Sequence, residues 1–388
     1  MTRRFPALGL LLALTLSACG GAATPPAASS AASSASASAA ASSRSAGAAV
    51  PSSSPSGSPY APRAYTAQPL SPPVTVKGID TGLTGLIGVY EALDRGYFKD
   101  EGLDVQLTSS NDTAVSAQMV ATGQVAFENL SPDPVFFNAM DRGIDLKIVA
   151  SSVISGPNNR TAVFLVRQDL IDSGRYKAPA DLKGMKVAAG PVSYPSIDRV
   201  LTMGGLTMQD VDMVNLTPPA MFAAFKNKGI DAAWLTEPLA TQANVQHLAK
   251  TVITSGQVLS GVVAAAVIMS PSFLKDRPDA AQHLLIAYVR GLRDYYHAFD
   301  KKDASDALRA QVVQTFIKHT AVKNPALYTQ IGLPEVDPNG AADPTQSWEN
   351  VYEASYLQHG LIQHKVDLSK HVDFSILNSA LSKLGRET

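Results

Sequence analysis

Short apolar runs alternate with stretches of helical periodicity over most of this chain. Residues 74–79 (VTVKGI) read as a strand, and 85–96 follow with helical spacing. Next come a strand at 103–107, a helix at 113–121 stopped by Gly123, and a helix at 133–142 stopped by Gly143. Strands at 146–150 and 162–166 complete this first series. A second series has strands at 186–189, 212–216, 231–235 and 261–269, with helices at 196–203, 220–227 and 239–248 between them. The remainder is mostly helical: 278–299, 305–319, 325–331, 345–359 and 374–384. This alternation predicts an α/β fold of parallel sheets with helices on both faces. Ligands of such sheets bind beyond the carboxyl ends of the strands.

The N-terminal pattern differs. Arg3 and Arg4 precede an apolar run, 8–16 (LGLLLALTL), which is shorter than the roughly 20 residues a membrane-spanning helix needs. It fits the core of a signal peptide, residues 1–18. The run closes in Leu16-Ser17-Ala18-Cys19-Gly20, which resembles a bacterial lipobox and implies lipidation of Cys19. Several acyl chains on one Cys make a stable anchor, where a single myristoyl chain is marginal. From Gly20 to about Pro73 the chain is Ala, Ser, Pro and Gly with almost no charge. That composition buries too little to offset its ordering entropy, so 19–73 is expected to be a disordered tether. Its typical reach is roughly 40 Å.

Composition narrows the rest. The net charge of −1 gives no basic stripe and excludes a nucleic-acid binder. The single cysteine excludes a disulfide within the chain and a multi-Cys metal site. From Val74 onward the length suits two domains. The most apolar later segment, 262–269 (VVAAAVIM), is too short to span a bilayer and reads as a buried strand. No P-loop, dinucleotide fingerprint, H-E-x-x-H or G-x-S-x-G motif occurs. His359, His364 and His371 do not stack on one helix face and are taken as surface histidines. No cofactor and no metal are expected.

Four segments carry a resemblance. They are residues 88–105 (GVYEALDRGYFKDEGLDV), 120–127 (VATGQVAF), 181–189 (DLKGMKVAA) and 223–238 (AAFKNKGIDAAWLTEP). In this order they resemble the NMT1/THI5-like, SsuA/TauA/NrtA-type binding proteins. One departure is Ala126, where the family often has Asp. The resemblance implies a periplasmic binding protein type II fold: two α/β lobes with a ligand cleft between them. Lobe 1 would be 74–165 plus 265–388 and lobe 2 would be 166–264, with crossings near 162–167 and 262–269. It further implies an extracytoplasmic solute-binding protein of an ABC importer, not an enzyme, acting as a monomer. Its partners would be a small molecule, a membrane permease and, through Cys19, the membrane. Two alternatives share the fold: a sensing or scaffold lipoprotein, and a thiamine-pyrimidine-synthase-like enzyme. The latter would call for a cysteine-rich iron site, absent here, and a cytosolic location, which the lipobox contradicts.

Four loops at strand ends supply candidate ligand contacts. In 80–85, Thr81 and Thr84 precede a helix, where Thr84 either meets a ligand or only caps. In 128–133, Asn129 and Ser131 are the better contacts by position, with Ser131 or Asp133 also able to cap. In 190–196, Ser193, Tyr194 and Ser196 can donate to a ligand oxygen, and Tyr194 can stack on a flat ligand. In 234–238, Glu237 either accepts from an amine-bearing ligand or pairs with a basic side chain of the other lobe; Trp234 reads as core or contact. Asn158 and Asn159 are weaker candidates. No Lys or Arg stands in these loops, so a neutral or weakly charged organic ligand is expected, not a densely charged anion.

Overall fold

The computed structural model describes residues 65–110 and 112–388. The signal peptide, Cys19 and most of the tether lie outside the described residues. Within them no helix is long and apolar enough to cross a membrane.

Strands β1 (Val74–Asp80), β2 (Leu103–Ser109), β3 (Phe127–Leu130) and β4 (Lys147–Ser155) are followed by β5 (Ala162–Arg167), β6 (Lys186–Ala188) and β7 (Asp212–Val214). Then come β8 (Ala232–Thr236), β9 (Ala249–Thr254) and β10 (Val262–Met269). They form two five-stranded sheets, β2-β1-β3-β10-β4 and β7-β6-β8-β5-β9. In each, four strands point the same way, three of them paired in parallel and joined through helices; β10 in the first and β5 in the second run antiparallel to both neighbours. The sheets are therefore mixed, not parallel as expected. The reason is connectivity: β5 and β10 are the strands that arrive directly from the other sheet. Each crossing enters its new sheet at the end where the parallel strands terminate, so the arriving strand runs back the opposite way.

The crossings implied near 162–167 and 262–269 are displaced. The strands at those positions lie wholly inside one sheet each, and the chain passes between sheets at 156–161 and again at 255–261. Strand β9 and the short helix Ser255–Leu259 behind it were not expected. Strand β9 (AKTVIT) alternates too briefly to stand out beside the preceding helix, and its partner β5 supplies the ladder.

The C-terminal helices rest on the first sheet. Helix Pro278–Tyr295 buries Leu284, Leu285, Tyr288 and Leu292, and the Tyr288 hydroxyl donates to the Ser151 carbonyl at 2.9 Å. The expected helix at 345–359 is interrupted by a π-helical segment, Trp348–Glu353. Within it, Trp348 donates its indole N–H to the Val263 carbonyl at 2.8 Å and packs edge-on against Phe136.

The tether was expected to reach Pro73, yet its last residues join the body. The Tyr65 hydroxyl donates to Glu101 Oε2 at 3.0 Å, and the Leu70 N–H donates to the Glu101 carbonyl at 3.1 Å. Glu101 is fully buried and also meets His283 Nδ1 at 2.7 Å. A buried carboxylate needs these partners, and that need holds residues 65–73 against the fold.

Candidate ligand site between the two sheets

A cavity of about 460 Å³ lies between the sheets. Its walls come from the ends of β1, β3 and β4 on one side, from β8 and the loop after β6 on the other, and from both crossings. Thr81, Thr84, Asn129, Ser131, Ser193, Ser196, Trp234 and Glu237 all line it. Tyr194 does not. It begins the helix Tyr194–Met203 and packs edge-on against His359, with 5.4 Å between ring centroids. The helical turn from Ser193 to Ser196 places those two serines on the cavity side, and Tyr194 projects elsewhere.

Local chemistry sets each wall. After β1, Asp80 Oδ1 accepts the Gly82 N–H at 2.8 Å, and Gly82 adopts φ +65°, a conformation that costs glycine nothing. The turn delivers Thr81 and Thr84 to the cavity; no side chain caps the 3-10 turn Thr84–Leu86. After β3, Asp133 caps helix Pro134–Asp141 by accepting the Phe136 N–H at 3.0 Å, and burial raises its pKa. Trp234 is both core and lining: it sits in β8 opposite Phe164 and is buried while edging the cavity.

Among the described residues, no basic side chain lies within salt-bridge distance of Glu237. Its Oε2 accepts the Thr241 N–H at 3.0 Å, and its Oε1 accepts the Thr241 hydroxyl at 2.9 Å and the Gly332 N–H at 3.1 Å. Gly332 belongs to the segment that runs on to pair with β4 through Glu335. Glu237 thus caps a helix of the second sheet's half and ties it to the first. Burial raises its pKa, opposed by these donors and by Arg160. A side chain at Gly332 would run into the Arg160 carbonyl, so this junction requires glycine.

Several residues that matter here were passed over or ranked low. Glu128 is only 3% exposed and lines the cavity. One carboxyl oxygen accepts the Ser116 hydroxyl at 2.7 Å, and burial pushes its pKa up to about 7. Glu128 opens the 128–133 loop, in which position alone favours Asn129 and Ser131. Asn159 is buried at the first crossing. Its Oδ1 accepts from the Thr161 N–H and hydroxyl and from the Ser255 hydroxyl at 2.7 Å, so one side chain stitches the two crossings together. His359 is not a plain surface histidine: its Nε2 lies 2.8 Å from Asp198 Oδ1, and the Ser355 hydroxyl donates to the same carboxylate at 2.6 Å. Asp198 lies on helix Tyr194–Met203, so these contacts also join the two halves. The Tyr356 hydroxyl, between the Pro132 and Val192 carbonyls, does likewise.

The family model described as NMT1/THI5 like matches residues 84–299. The chain belongs to the NMT1/THI5-like family. The matched span holds every cavity-lining residue except Thr81, Leu83, Pro334 and Tyr352. A protein of Brucella abortus named only as a binding protein is 21% identical over 280 residues, 71% of this chain and 82% of that protein. The formylaminopyrimidine-binding protein of Halalkalibacterium halodurans is 29% identical over 33% of this chain and 37% of its own length. The periplasmic aliphatic sulphonate binding protein SsuA from Escherichia coli superposes with a TM-score of 0.62 at 19% identity. That superposition covers 78% of this chain and 92% of SsuA. This is the periplasmic binding protein fold, two α/β halves around a cleft, that the resemblance implied.

Proposed function

We propose that this NMT1/THI5-like protein is the extracytoplasmic solute-binding component of an ABC importer. It captures a small organic molecule between its two halves and delivers it to a membrane permease. The observation that carries this reading is the cavity itself, enclosed by both sheets and both crossings and bridged by Glu237–Gly332 and Asp198–His359. Two halves joined by short crossings can swing, and a ligand that touches both favours the closed arrangement by its difference in affinity for the two states. The halves divide at the crossings, 156–161 and 255–261.

We read this cavity as a site of capture. The related proteins named for binding support the same reading. Lipidation of Cys19 would hold the protein to the membrane, with the Ala/Ser/Pro-rich segment as its tether and the monomer as the working unit.

The test is a thermal-shift screen of a metabolite library, since a ligand that binds only the folded state raises Tm by mass action. A hit should also be taken up by cells through an ABC permease in a manner that requires this protein. A library without a single hit defeats the proposal. In parallel, labelled fatty acid should enter the wild-type chain and not Cys19→Ser; label in neither chain rejects the anchor alone.

A further inference from the structure

The charge of the cavity narrows the ligand, taking its solute-binding role as given. Three carboxyl side chains line it, Glu128, Asp133 and Glu237, and among the described lining residues none is Lys or Arg. The exposed Arg160 acts on Glu237 from beside the cavity and is not part of its lining. Helix N-termini ordinarily make such clefts hospitable to anions. Here the protein's own carboxylates occupy several of them. Asp133 accepts from the Phe136 N–H and Glu237 from the Thr241 N–H. Asp112 accepts from the N–H groups of Ala114 and Val115, at the start of the helix that carries Thr113 and Ser116 to the cavity. At these three helix starts a ligand anion would meet donors already used and carboxylates already present; the turns at Thr84–Leu86 and Pro191–Ser193 carry no side-chain cap.

Glu128 stands apart from the other two. Asp133 and Glu237 hold backbone N–H groups, whereas among the described residues Glu128 has a single donor, the Ser116 hydroxyl, on one oxygen. Three more polar atoms of the lining are buried without a partner among the described residues: Asn129 Oδ1, on a residue 9% exposed, and the hydroxyl oxygens of Ser155, 1% exposed, and Thr81, which accept as well as donate. Each buried acceptor left unpaired is costly, and a donor-bearing ligand removes that cost. Trp234 and Tyr352 add aromatic surface to the same lining, and aromatic faces attract cations.

We propose that the ligand is a small organic cation, bearing an amidinium, guanidinium or protonated amine, and that Glu128 is its counter-charge. An amidinium or guanidinium presents paired N–H donors that match a carboxylate, and such charge-assisted bonds are about twice as strong as neutral ones. Residues Asn129 and Ser155 take further donors, and the aromatic lining covers the rest.

The test uses three probes that share one ring and differ in the charge of the head group: benzamidine, benzamide and benzenesulfonate. Calorimetry on the full wild-type chain should show benzamidine binding about tenfold or more tighter than benzamide, with benzenesulfonate weakest. In Glu128→Gln the benzamidine affinity should fall by about tenfold, with benzamide little changed. The wild-type comparison stands whether or not the variant folds. Benzamide or benzenesulfonate binding as tightly as benzamidine overturns the proposal while leaving the capture role intact. If all three probes are silent, the metabolite screen decides. A cationic hit weakened in Glu128→Gln supports the proposal, and a neutral or anionic hit overturns it alone. The absence of any hit overturns both readings.

Discussion

Replacing Glu128 by Gln changes one oxygen to an amide nitrogen and leaves the shape of the side chain nearly intact. The Ser116 hydroxyl can still donate to the remaining carbonyl oxygen. What disappears is the ability to ionise. Burial holds the Glu128 carboxyl at about 7 in the fold, against 4.5 for an exposed glutamate. The folded state therefore keeps its proton over a range in which the unfolded chain has released one. The stabilisation this gives is full below pH 4.5 and is lost as pH rises through about 7. Above that, the ionised carboxylate costs the unliganded fold roughly 3 kcal/mol. The Gln side chain escapes the cost but must place an N–H₂ group, at about 1 kcal/mol, so a slight destabilisation, under about 1 kcal/mol, is expected at pH 4.5 and about 2 kcal/mol of net stabilisation at pH 8. With an unfolding entropy near 2.1 cal/mol/K per residue over roughly 300 residues, that is a Tm rise of about 3 °C. Glu91 and Asp300 are also raised to about 7, but they are common to both chains and cancel in the difference. Scanning calorimetry of both chains from pH 4.5 to 8, without ligand, reads the effect. A Tm difference that does not grow with pH, or a variant less stable at pH 8, would refute the reasoning.

Other contacts give further expectations. Asp198→Ala removes the acceptor of Ser355 and His359; losing about 1 kcal/mol of closure should enlarge the radius of gyration by scattering and weaken ligand binding about fivefold, and identical values would show that the pair holds nothing closed. Glu237→Ala frees the Thr241 and Gly332 donors and should cost about 1–2 kcal/mol in denaturant melts while weakening ligand binding without unfolding the protein; unchanged stability and affinity would remove Glu237 from both roles. Tyr65→Phe takes one of the partners of buried Glu101, and a loss of about 1 kcal/mol is expected by the same melts. A neutral outcome would mean that residues 65–73 rest on the body without holding it.

The sequence by itself determined the class of fold, the order of most of its elements and most of the predicted side chains that line the cavity. It could do so because those features are local. Apolar period marks a strand such as 162–166 or a helix such as 113–121, and a glycine or a capping residue marks its end. Loops at strand ends are where α/β sheets bind, so Thr81, Asn129, Ser193 and Ser196 could be named from order alone. Only the tertiary structure decided what depends on residues far apart in the chain. It showed β5 and β10 antiparallel to their neighbours, because pairing partners come from different halves of the sequence. It turned Tyr194 towards His359 and out of the cavity, a matter of one helical step. It gave Glu237 to Gly332, 95 residues away, in place of a basic side chain. And it buried Glu128 against Ser116 inside the cavity, where a carboxyl without a nearby cation acquires its meaning from low polarity, which no run of neighbouring residues encodes.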